Sequence, residues 1–81
     1  MVIKVLGAGC EKCTQLYQNV QQAVKELGID AEIQKVENLM EMVQLGVMSS
    51  PSVMIDGKLV VNGRVTNVKT LIGILEAQRR P

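Results

Sequence analysis

The hydrophobic pattern changes period twice in the first 36 residues, and this constrains the fold more than anything else in the chain. Val2 to Leu6, V-I-K-V-L, are β-branched and aliphatic with only Lys4 interrupting. That composition suits a strand covered on both faces in the middle of a sheet. Gly7, Ala8 and Gly9 then turn the chain. From Cys13 onward, Leu16, Tyr17, Val20, Val24 and Leu27 follow the spacing of an amphipathic helix, while Gln15, Gln18, Asn19, Gln21, Gln22 and Lys25 fill its polar face. Gly28 stands where a helix ends on glycine. Residues 31–36, A-E-I-Q-K-V, return to alternation and read as a half-buried second strand. A strand, a helix of this length and a second strand have one ordinary solution, a right-handed parallel crossover.

The second half adds a short helix over 38–45, with Asn38 as N-cap, Leu39, Met40 and Val43 as its inward face and Gly46 as its stop. Then comes S-V-M-I-D-G-K-L-V-V, residues 52–61, two apolar runs around Asp56-Gly57. A type I′ turn needs positive φ at both central residues, so this pair predicts an antiparallel hairpin. A last helix over about 67–78 puts Val68, Leu71, Ile72 and Leu75 on one face despite Gly73, and the closing R-R-P is expected to fray. The element order is β-α-β-α-β-β-α. The fold class is α/β, with a mixed four-stranded sheet sandwiched by helices in a single domain spanning residues 1–81.

At 81 residues the chain buries only a modest core, and with Tyr17 as its sole aromatic that core must be aliphatic. Met40, Met42, Met48 and Met54 read as its gap fillers. Tyr17 reads as core with its hydroxyl at the rim, and Lys35 and Glu37 as a solvated face. A net charge of +1 with no basic cluster, and no Phe or Trp to stack on bases, argues against nucleic acid as a partner. No apolar run approaches the roughly 18 residues of a membrane span, and the N-terminus reads as a strand instead of a signal core. A cytoplasmic protein without membrane association is expected.

The chain's only cysteines, Cys10 and Cys13, enclose Glu11 and Lys12. A bond between residues three apart closes too small a loop to staple a fold, so any disulfide there serves chemistry. If Cys10 is the N-cap of the first helix, its sulfur faces the unpaired N–H groups of Lys12 and Cys13 and the positive end of the helix dipole, which favours a thiolate. Cys13 opens the apolar stripe and should be covered; Cys10 precedes it and should reach solvent. Cys10 is therefore the attacking thiol and Cys13 the resolving one. Lys12 favours the thiolate and Glu11 opposes it, so these two modulate without a net direction. A soft-metal module binding Cu(I) or zinc through the two thiolates is the alternative, although two cysteines and no His supply only half of a tetrahedral site. A non-catalytic binding protein on the same fold is the other. Pro51 stands at the start of the third strand, where it removes no needed donor. Chain statistics, about 5–6% cis before proline, would leave its peptide bond trans.

Strand, C-E-K-C opening the first helix, strand, short helix, G-V-M-S-S-P-S-V-M-I-D-G-K-L-V and final helix together resemble the thioredoxin-like superfamily, most closely its small, glutaredoxin-sized redox-active disulfide proteins. The resemblance covers nearly the whole chain. It implies that Cys10 and Cys13 are the nucleophilic and resolving cysteines of a thiol–disulfide oxidoreductase. It also implies a cis Ser50–Pro51 bond packed beside them, with the Ser50 backbone offered to a bound thiol substrate and Pro51 helping to exclude metal. The implied partners are a disulfide-containing protein or small thiol substrate and a reductase or thiol electron donor, with no bound cofactor and a monomeric state. The Glu-Lys pair, in place of Gly-Pro or Pro-Tyr, leaves the reduction potential open. N-G-R-V-T-N, where a glutathione site would carry a Gly-Gly-x-Asp-like turn, argues against glutathione as the obligate cofactor.

Overall fold

The structure, a computed structural model, describes residues 1–7 and 11–79. Strand β1 (Val2–Leu6) leads to helix α1 (Glu11–Leu27), strand β2 (Glu32–Val36), helix α2 (Leu39–Gln44), the hairpin β3 (Ser52–Ile55) and β4 (Lys58–Asn62), and helix α3 (Val68–Arg79). The sheet order is β2-β1-β3-β4. β1 pairs parallel with β2 and antiparallel with β3, and β3 pairs antiparallel with β4. The strand read as two-sided, β1, is thus internal, and its side chains explain why. Ile3 and Val5 face α1 and α3; Leu6 faces the other way, toward α2.

Two apolar clusters result. The larger joins Ile3, Val5, Val53, Ile55 and Val61 of the sheet to Leu16, Val20 and Ala23 of α1 and to Leu71 and Leu75 of α3. The smaller joins Leu6, Val36 and Met54 to Met42 and Val47. Burying each Val, Leu or Ile contributes roughly 1.5–3 kcal/mol, so the larger cluster dominates the fold's stability.

The local signals account for the boundaries. Asn38 caps α2, its Oδ1 accepting from the N–H groups of Met40 and Glu41. Asn67 starts α3 in the same way, accepting from Thr70 N–H at 2.8 Å. Asp56 and Gly57 take positive φ, 50° and 84°, as the hairpin turn requires. The Asp56 carboxylate also accepts from Val2 N–H at 2.8 Å, fastening the hairpin tip to the start of β1.

Three readings need correction. Leu39, Met40 and Val43 are not the inward face of α2; they are 67, 69 and 59% exposed, and Met42 alone of that helix is buried. With only six residues, α2 has room for one inward anchor, and Met42 takes it by packing against Leu6, Val36 and Val47. Met40 and Met48, the latter 85% exposed, are therefore not core gap fillers, unlike Met42 and Met54. Asn19, assigned to the polar face of α1, is half-buried and donates from Nδ2 to the Thr66 carbonyl at 3.0 Å, tying α1 to the turn before α3. The Cys10 N-cap, the turn through Ala8 and Gly9, and the Arg80–Pro81 tail lie outside the described residues.

Candidate functional site

Cys13 is the third residue of α1 and is 2% exposed, covered as the first member of the helix's apolar stripe. It is disulfide-bonded. Glu11 and Lys12, which precede it on the first turn, are exposed. Cys10 lies outside the described residues.

What surrounds Cys13 is set by the end of β1. Gly7 N–H donates to the Val36 carbonyl at 2.9 Å, prolonging the β1–β2 ladder by one residue beyond Leu6. This pins the Gly7 backbone under the start of α1. A Cβ at Gly7 would fall on Cys13 Sγ, 3.2 Å from Cys13 Cβ and 3.6 Å from Pro51 Cα. The end of β1, the first turn of α1 and the sequence-distant Pro51 thus meet at one point, and only a residue without a side chain fits between them. The reading of Gly7 as turn material missed this. The available signal was its place, directly after an internal strand and three residues before the first cysteine, where close backbone approach is a standard use of glycine.

The third segment runs from Met48 to Pro51. The Ser50–Pro51 peptide bond is cis; Pro51 is buried and Ser50 exposed. The same segment borders a shallow cavity of about 250 Å³ whose lining includes Leu39, Val43, Val47 and Met48 and reaches Ser49 and Ser50. The apolar side chains that α2 leaves in solvent therefore flank the segment next to Cys13.

Beneath it, Ser52 is fully buried at the start of β3. Its hydroxyl donates to the Ser49 carbonyl at 2.6 Å and accepts from Gly63 N–H at 3.3 Å. Tyr17, one turn beyond Cys13, packs against the larger core cluster, with Lys35 Nζ 5.6 Å from its ring centroid. Lys35 also reaches Glu37 at 3.9 Å, an exposed pair of the kind that contributes little. Among the described residues, no three His, Cys, Asp or Glu side chains gather into a metal-binding group, and no helix is long and apolar enough to cross a membrane.

The structure therefore brings Cys13, Gly7 and Pro51 together and leaves Ser50, Glu11 and Lys12 exposed near the start of α1 and the start of β3. Such a site offers a covered sulfur at a helix N-terminus beside a surface segment accessible to another chain.

A family model described as a thioredoxin domain matches residues 1–76. The chain is 39% identical over 75 residues to a thioredoxin of Methanothermobacter thermautotrophicus, covering 93% of this chain and 97% of that protein. It is 44% identical over 71 residues to a thioredoxin of Methanocaldococcus jannaschii, covering 88% of this chain and 81% of that one.

Proposed function

The chain belongs to the thioredoxin family, and from that premise we propose that it is a thiol–disulfide oxidoreductase working through Cys10 and Cys13. The observation that carries this reading is the convergence of Cys13 and Pro51 on Gly7 at the N-terminus of α1.

The Cys10 thiolate attacks one sulfur of a substrate disulfide, forming a mixed disulfide and expelling the other substrate sulfur as a thiolate, which takes a proton from water. Cys13, as thiolate, then attacks the Cys10 sulfur. The Cys10–Cys13 disulfide forms, the second substrate thiol leaves, and the substrate has gained two electrons and two protons. A reductase or dithiol donor returns both to the protein. Burial of Cys13 suits the resolving role, because a covered sulfur meets Cys10 before it meets bulk thiols. Ser50 offers its backbone to the substrate chain, and Pro51 shields the sulfurs from metal. Glu11 and Lys12 face solvent and adjust the field at the helix start. The substrates are disulfide-containing proteins or small thiols, exchanged in the cytoplasm.

The test equilibrates the protein across a series of dithiol-to-disulfide ratios, alkylates the free thiols and weighs the products, with the purified protein assayed for metal. The expected result is one two-electron transition between zero and two labels, with Cys10 the faster-labelled residue. Two thiols that never pair, or that become reactive only after a chelator is added, would replace the redox reading with the metal-binding one.

A further inference from the structure

The geometry points to Ser52 as a positioning residue for the segment that carries Ser50 and Pro51, an inference that rests on the redox reading above. Ser52 and Thr66 are the buried polar residues among those described. A hydroxyl removed from water is costly unless its hydrogen bonds are replaced, and Ser52 replaces two. It donates at 2.6 Å to the carbonyl of Ser49, just ahead of the Ser50–Pro51 pair, and accepts at 3.3 Å from Gly63 N–H, just past the end of β4.

Ser52 itself is held in the sheet, paired with Leu6 on one side and Asn62 on the other. The 2.6 Å bond therefore closes a short loop around Ser50 and Pro51. Gly63 tightens it from outside. A Cβ there would lie 3.2 Å from Ser49 Cβ, closer than such atoms ordinarily sit, and 3.7 Å from Ser49 Oγ, in ordinary contact. Ser49 is thus bonded from below by Ser52 and backed by Gly63. The same Leu6 that pairs with Ser52 precedes Gly7, so the clamp and the Cys13 pocket share one strand end.

The consequence concerns substrate binding. A substrate chain that hydrogen-bonds the Ser50 backbone needs that backbone held in one orientation before it arrives, since ordering a loop on binding lowers affinity. A small disulfide that touches only sulfur does not. Ser52 is therefore expected to act on KM toward peptide disulfides and to leave the sulfur chemistry untouched.

The experiment measures exchange kinetics of the full chain with a disulfide-linked peptide and with dithiobis(nitrobenzoic acid). Ser52→Ala should raise KM for the peptide by roughly fivefold to tenfold, the scale of one lost hydrogen bond, with kcat and the small-disulfide rate within about twofold of the parent. Gly63→Ala, at an exposed turn, should produce the same split while retaining the Ser52 hydroxyl. Leu75→Val, which thins the core at α3, should lower stability without moving KM. Unchanged peptide KM in both Ser52→Ala and Gly63→Ala overturns the clamp, and so does a KM rise in Leu75→Val as large as theirs. If the parent exchanges neither disulfide, the redox reading falls and the clamp with it; normal exchange by the parent alongside unchanged variants removes the clamp alone.

Discussion

Gly7 and Cys13 occupy one shared space: the volume a side chain at Gly7 would need already holds the sulfur of Cys13. The backbone at Gly7 is not free to retreat, because its N–H is bonded to the Val36 carbonyl at 2.9 Å. Gly7→Ala must therefore push α1 away from the sheet or turn Cys13 out of its rotamer. Overpacking of this kind costs about 1–3 kcal/mol. Thermal unfolding of the variant should show a correspondingly lower midpoint and its cysteines should alkylate faster than the parent's. A Gly7→Ala protein with parental stability and labelling rates would mean that the two residues are not in contact.

The proposed division of labour between the cysteines predicts two different defects. Cys10→Ser should abolish exchange with a peptide disulfide, since no nucleophile remains in reach of solvent. Cys13→Ser should still attack but stall, accumulating a covalent adduct whose mass is that of the protein plus one substrate half. Mass spectrometry after mixing each variant with substrate reads both. Full turnover by Cys10→Ser, or no adduct with Cys13→Ser, contradicts the assignment.

Met40 and Met42 are two residues apart on a six-residue helix and point in opposite directions, one 69% exposed and the other 4%. Met42→Ala removes the single anchor of α2 in the smaller core cluster and should cost about 2–5 kcal/mol. Met40→Ala should stay within about 0.5 kcal/mol of the parent. Chemical denaturation of the pair distinguishes them. Equal losses would restore Met40 to the inward face.

Asp56 does two jobs, taking positive φ at the hairpin turn and accepting the Val2 N–H. Asn shares both abilities, whereas Val has neither and strains in the left-handed region. Asp56→Asn should therefore be tolerated, and Asp56→Val should lose about 2 kcal/mol, combining a hydrogen bond with backbone strain. Amide exchange of Val2 provides a local readout, expected to accelerate in Asp56→Val alone. Slow exchange there in both variants would show that the fastening does not depend on Asp56.

Much of this protein was legible along the chain because the relevant physics is local. The 3.6-residue stripe of α1, the Asn38 cap, the Asp56-Gly57 turn and the β-branched, aliphatic run of β1 each carry their signal within a few residues, and all lie in the structure where periodicity and capping chemistry put them. The covered position of Cys13 in the first turn of α1 was likewise readable.

Other features depended on which surfaces meet. α2 is too short for its periodicity to distinguish an inward from an outward face, and the position of Val47 and Leu6 selected Met42 over Leu39, Met40 and Val43. Gly7 looked like a turn residue because none of its immediate neighbours in the chain requires the absence of a side chain. The requirement comes from Cys13 and Pro51, brought there by the β1–α1 junction and the β1–β3 pairing. Ser52 looked like an ordinary strand residue because its two partners, Ser49 and Gly63, become neighbours of one hydroxyl only once the hairpin has closed. Local propensity is written in adjacent residues, whereas close packing and buried hydrogen bonds are properties of surfaces that the chain assembles from distant parts.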